Sequence, residues 1–228
     1  MRAAILQPGY LPWIGFFNMV KWSDTFIILD DVQFSDSAWQ HRNRIKTPMG
    51  FQWLTVPVLK KLDQKIKGVK INNKEKWAKN HWKAIKFNYS KARFFGEYSE
   101  FFEETYSKEW SSLLELDMHI IKGICNFLRL KPNFEFASNL NVGGNALDHV
   151  IKLCKKIGAT EYLNGPAGKS YMTEEDFAKE GIKLVWHEYS HPTYNQLYGE
   201  FVPYLSAIDL LFNEGEKSPE IIWGIKNN

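Results

Sequence analysis

The densest run of chemistry-bearing side chains lies between Asp30 and Lys46. Asp30-Asp31 closes a β-rich run and Gln33 follows. The segment Trp39-Gln40-His41-Arg42-Asn43-Arg44-Ile45-Lys46 then sets four potential cations within six positions, beside a tryptophan. A guanidinium fork takes a phosphate or carboxylate with two hydrogen bonds at once. Trp39 can stack on a base or sugar, and Gln33, Gln40 and Asn43 add amides. Arg42, Arg44 and Lys46 are therefore candidates to hold an anionic small molecule such as a nucleotide or nucleotide-linked sugar. A plain solvated basic loop would have the same composition.

A second polar run, Glu188-Tyr189-Ser190-His191-Pro192-Thr193-Tyr194-Asn195-Gln196, contains the best candidate general base of the six histidines, His191, because it sits in a loop with other polar groups. Tyr194 and Gln196 join it as candidate ligand contacts. Ser206 and Asp209 stand three apart, on one face of any helix. No G-x-S-x-G elbow accompanies them, so Ser206 reads as a helix cap or polar contact, and Asp209 is a candidate substrate-binding residue. The stretch Gly165-Pro166-Ala167-Gly168-Lys169-Ser170 suggests a phosphate loop, but Leu163 stands where the Walker pattern needs glycine. Gly165 remains a candidate to line a site as part of a turn.

These residues need elements to place them. Ala3 to Gln7 is a short apolar run closed by Pro8-Gly9, which reads as a buried strand. Trp13 to Trp22 suits a helix with Pro12 at its start, and Thr25 to Leu29 suits a second strand. This βαβ unit implies a parallel sheet, which binds ligands beyond the carboxyl ends of its strands. Gln7, Tyr10, Asp30 and Asp31 would lie there, with Asp30 and Asp31 as catalytic candidates beside His191. The alternative for the acidic pair is a turn cap. Phe51 to Leu59 is a third strand candidate that Pro57 makes an edge or a strand end, and Lys60 to Lys76 reads as a solvated lysine-rich loop with a short strand at Gly68 to Ile71. From Lys76 to about residue 130 the apolar spacing is helical, predicting two or three helices as a cap. Short strands at Phe134 to Phe136, Glu161 to Leu163 and Ile182 to His187 flank a helix over Asn145 to Ile157. The fold class is α/β with a Rossmann-like parallel-sheet core and an inserted helical cap at 76–130. We treat 1–228 as one domain, since no linker or repeat divides it.

Net charge is +3 over 228 residues, which argues against a dedicated DNA-binding module and gives little ground for a tRNA partner. The two cysteines, Cys125 and Cys154, lie in apolar helical contexts and form no zinc spacing. No metal site is expected, and no pattern names a cofactor. No run of about 18 apolar residues exists and no leader pattern opens the chain, so the expectation is a cytoplasmic protein without a membrane span.

Several blocks together resemble one family: Gln7-Pro8-Gly9-Tyr10-Leu11-Pro12-Trp13-Ile14-Gly15-Phe16-Phe17, Asp31-Val32-Gln33-Phe34, Trp39 to Lys46, Tyr162-Leu163-Asn164-Gly165, His191 to Gln196, and Leu205 to Phe212. In this order they resemble the WbqC-like proteins, associated with bacterial O-antigen and other surface-polysaccharide gene clusters. The resemblance implies a transferase that moves glycine or another small acyl group onto a nucleotide-linked amino sugar. A fainter resemblance is to HIGH-motif nucleotidyltransferases, which have a HUP-like core. There Trp13 and Phe16 replace the two histidines that stabilise the transferred phosphate. An ATP-dependent ligase and a non-catalytic ligand-binding protein stand as alternatives.

Overall fold

The computed structural model describes residues 1–224. Its centre is a five-stranded sheet. Strand β1 (Arg2–Leu6) leads through helix α1 (Ile14–Lys21) to β2 (Thr25–Ile28). The chain then leaves the sheet for β3 (Arg42–Thr47), β4 (Gly50–Thr55), β5 (Val58–Leu59) and β6 (Lys70–Ile71), followed by α2 (Trp77–Tyr89), α3 (Phe95–Ser107) and α4 (Leu113–Phe127). It returns as β7 (Phe134–Phe136), passes α5 (Ala137–Leu140) and α6 (Ala146–Lys156), and enters β8 (Glu161–Asn164). Helix α7 (Glu174–Ala178), β9 (Lys183–Trp186), α8 (Ala207–Glu214) and α9 (Ser218–Trp223) complete it.

The sheet order is β7-β2-β1-β8-β9, and every pairing in it is parallel. Strand residues alternate between two cores. Ala4, Phe26, Ile28 and Leu163 face the cluster built with α1, α4 and α8. Ala3, Ile5, Ile27 and Tyr162 face a second cluster with α6 and α7. A parallel sheet covered on both faces needs such runs, apolar at nearly every position. The expected α/β class, parallel core and helical insertion are all present, with three helices in the 76–130 segment.

Two local expectations are corrected. Phe51 to Leu59 does not form one strand: Val56-Pro57 separates β4 from β5, and neither joins the parallel sheet. β4 instead pairs antiparallel with β3, with Arg44 opposite Trp53, and β5 pairs with β6. The end of the basic segment is therefore strand, not loop. Asn43 and Ile45 turn inward and are buried, while Arg42 and Arg44 lie on the other face. Cationic composition hid this alternation of period two.

Candidate functional site

A cavity of about 640 Å³ opens at the carboxyl ends of β1 and β8. From β1 the chain passes to β2 on one side, and from β8 to β9 on the other. The cavity therefore lies at the switch point where a doubly wound sheet binds its ligand. Leu6, Gln7, Asn164 and Gly165 come from the strand ends, and Trp39, Gln40, Asn43 and Arg44 from the approach to β3 and its first residues. Trp13, Phe16, Tyr171 and Tyr204 add aromatic walls. Most of the surface is apolar, with a few amides and one guanidinium to orient a ligand, as in many small-molecule sites.

The amides are held by the backbone. Gln40 donates from its amide nitrogen to Gln7 Oε1 at 2.7 Å and accepts from the Ser35 N–H at 2.9 Å. Its carbonyl accepts from the Tyr10 N–H. Gln7 is exposed, and its own amide nitrogen is left to meet a ligand. Asn43 donates to the Leu11 carbonyl at 2.6 Å and so ties the hairpin to the loop after β1. Close approach also needs small residues. A Cβ on Gly15 would come within 2.2 Å of the Trp13 ring, and one on Gly168 within 2.0 Å of the Asn164 amide.

Arg44 is the cavity's cation. Its guanidinium lies over Phe51 at 4.8 Å and near Trp39 at 5.5 Å, and it donates to the Tyr204 carbonyl at 3.2 Å. Its Nε is buried with no partner. Burial lowers its pKa, but an arginine stays charged at neutral pH. Tyr204 holds an uncommon left-handed backbone, φ +59°. Two neighbours fix it there: Arg44 on its carbonyl, and His191, whose Nε2 accepts the Tyr204 N–H at 3.1 Å. His191 Nδ1 lies 2.8 Å from the Pro192 carbonyl, and its ring stacks on Trp13 with 10° between planes.

With both nitrogens facing its own backbone, His191 offers no free lone pair to a substrate in this conformation. It positions Tyr204, and through Tyr204 it positions Arg44.

The other sequence-predicted residues fall into separate groups. Asp30 accepts from the Ser138 N–H and hydroxyl at 2.9 and 2.7 Å, tying β2 to α5. Asp31 lies 3.1 Å from His149 Nε2 on α6, with both side chains largely buried. His149 escaped the sequence reading because it lies within the amphipathic pattern of a helix, where Asp148 beside it reads as part of the polar face. Tyr10 is fully buried and bonds His81 Nδ1 and the Tyr106 hydroxyl, away from the cavity wall. Gln33 is exposed and donates to Asp63. Arg42 lies over Trp53 at 4.8 Å and donates to the Ser37 carbonyl.

Lys46, Tyr194, Gln196 and Asp209 meet one another, but in a buried knot. Asp209 accepts from the Tyr89 and Tyr194 hydroxyls and the Gln196 amide, each at 2.8 Å. Tyr89 accepts the Lys46 backbone N–H, and Lys46 Nζ donates to the Glu200 carbonyl. Burial pushes Asp209 up to about 6 against the opposing pull of these donors. Of the predicted set, Gln7, Trp39, Gln40, Asn43, Arg44 and Gly165 share the cavity. Trp13, Phe16, Tyr171, Tyr204 and Asn164 join them. Sequence signals existed for Asn164, inside a family block, and for Trp13 and Phe16, on the first turn after β1.

Fold and cavity together define an α/β protein with a cavity at the switch point of a parallel sheet. The chain belongs to the WbqC-like protein family, whose model matches residues 7–221. It is also similar to an uncharacterized protein of Mycobacterium tuberculosis, with 37% identity over 225 residues, 97% of each chain. No solved structure matches it significantly.

Proposed function

We propose that the cavity binds a nucleotide-linked amino sugar and that the protein acts as a transferase of bacterial surface-polysaccharide biosynthesis, moving glycine or another small acyl group onto that sugar. The observation that carries this reading is the composition of the cavity wall: one arginine with an unpartnered buried Nε, oriented amides at the strand ends, and flanking aromatic rings. A guanidinium suits the diphosphate. Amides suit sugar hydroxyls or an acyl amide, and Trp13, Trp39 or Tyr204 offers a face to a base or sugar ring. Membership of the WbqC-like family supports the pathway.

One observation favours a second reading, a binding protein that presents its ligand to a partner enzyme. No carboxylate or imidazole is among the residues lining the cavity. An ATP-dependent ligase draws less support, because Trp13 and Phe16 put apolar rings where phosphate-stabilising histidines would stand. A thermal-shift series with UDP- and dTDP-sugars, ATP and coenzyme A, on wild type and Arg44→Ala, tests the proposal. A ligand at a hundred times its dissociation constant adds about 2.7 kcal/mol. A shift with sugar nucleotides that Arg44→Ala removes supports the site, and product formation then separates transferase from carrier. Failure of every sugar nucleotide to shift the melting temperature overturns it.

A further inference from the structure

Exposed apolar side chains are unevenly distributed. Among the described residues, eleven large apolar side chains are strongly exposed, and six of them fall between residues 39 and 62: Trp39, Met49, Phe51, Trp53, Leu59 and Leu62. Met49 at the β3–β4 turn and Leu62 in the loop after β5 are 94% and 93% exposed. Folding does not require either side chain there, since neither packs on anything.

Charge follows the same path. Residues 32–70 hold eight Lys and Arg against two Asp, a net +6 in a chain whose total is +3, so the remainder is net negative. Lys60, Lys61, Lys65, Lys67 and Lys70 are exposed. The parts are joined in space. Lys60 pairs with Asp36, the Phe34 N–H bonds the Gln64 carbonyl, and Trp39 packs on Trp53 at 5.2 Å between ring centres. Arg42 and Arg44 lie over the hairpin's aromatic rings.

Apolar loop tips, half-exposed aromatics and a ring of lysines match the pattern of a peripheral membrane surface: the tips enter the acyl boundary, the aromatics sit at headgroup level, and the cations meet anionic lipid. A nucleic acid would use the cations and rings but has no use for exposed Met49 and Leu62. We propose that the β3–β4 hairpin and the loop at 59–65 dock this protein reversibly on an anionic lipid surface. No helix among the described residues is long and apolar enough to cross a membrane, and this docking needs none. Trp39 and Arg44 belong to both the docking face and the cavity wall, so the cavity opens beside the lipid. The proposal does not depend on the transferase reading.

Vesicle co-sedimentation decides it, with phosphatidylcholine alone and with added phosphatidylglycerol, at rising salt. The variants are Lys60→Glu with Lys61→Glu, and Met49→Ser with Leu62→Ser, none of them lining the cavity. The wild type should partition onto phosphatidylglycerol vesicles and weaken with salt, with a blue shift of tryptophan emission. Each lysine reversed to glutamate should lower partitioning by more than about fivefold, the value for a lysine simply lost, and the serine pair should remove the part that salt leaves. Equal partitioning on both vesicle types, or unchanged partitioning of both variants, would overturn the proposal. So would tight binding to single-stranded RNA without vesicle binding. Unaltered melting curves of the variants check their folding. Vesicle binding without any sugar-nucleotide shift would reject the transferase reading and leave the docking intact.

Discussion

The cavity and the Asp209 knot are built from the same kinds of residue, yet they serve opposite ends. Around the cavity Arg44 keeps an unpartnered, enclosed Nε, and Gln7 an uncommitted amide nitrogen beside open space. In the knot Asp209 receives three donors at 2.8 Å and is wholly buried. Tyr194 and Gln196 hold the long segment after β9 onto α8, while Tyr89 links α2 and β3 to the same carboxylate. Polar groups whose capacity is used up hold the fold together. Those with capacity to spare, next to a cavity, are available to a ligand. Asp117 marks a third case. It is fully buried with neither oxygen partnered, so burial alone drives its pKa well above the usual carboxylate range.

The largest expected effect tests the knot. Asp209→Ala strands two tyrosine hydroxyls and an amide in the interior and should cost about 3–5 kcal/mol in denaturant unfolding. A loss below about 1 kcal/mol would mean the knot is not a structural clamp.

The pH dependence of stability is next. Asp209 titrates at about 6 in the folded protein against an ordinary value of 3.8. The native state therefore holds this proton where the unfolded chain has released it. Its contribution is full below about pH 4 and is lost as pH rises through about 6, a fall on the order of 3 kcal/mol. The difference between wild type and Asp209→Asn across that window should show this slope. Parallel curves would place the titration elsewhere.

Arg44→Ala should weaken an anionic ligand by about 1.5–3 kcal/mol, the range for a charge-assisted bond, with a smaller effect on folding. If it destabilised the fold as much as Asp209→Ala, the contrast between the two regions would collapse.

His191→Ala should cost about 1–2 kcal/mol of stability through the freed Tyr204 backbone and weaken ligand binding through Arg44. Any turnover that depends on this residue as a base would instead fall by orders of magnitude at saturating substrate, with binding intact. The smallest change, Gln7→Ala, should lower affinity by about 0.5–1.5 kcal/mol with no measurable change in melting.

Much of the fold was legible. Short apolar runs closed by Pro8-Gly9, by Asp30 and by Gly165 gave the parallel strands, and the helical spacing after Trp77 gave the inserted helices. The hairpin was the miss. In β3 the apolar signal is a single residue, Ile45; Asn43 and Lys46 are buried polar residues and Arg42 and Arg44 are partly exposed, so hydropathy could not show the strand. The site was legible in part. Residues tied to a strand end by the backbone, such as Gln7 and Gly165, could be placed from position alone. Tyr204 could not, because nothing beside it in the chain requires its left-handed backbone; His191, 13 positions before it, and Arg44, 160 before it, bond its backbone.

The sequence by itself determined the class of sheet, the strand ends around which the cavity lies and the residue types available to hold an anion. Those follow from periodicity and local turn chemistry, which act over a few residues. Only the tertiary structure decided which polar groups became clamp and which became binding surface. That choice depends on whether donors from distant segments reach a side chain and use up its hydrogen bonds. In Asp209 they do, bringing Tyr89 from 120 positions away, and in Gln7 they leave the amide nitrogen uncommitted beside the cavity.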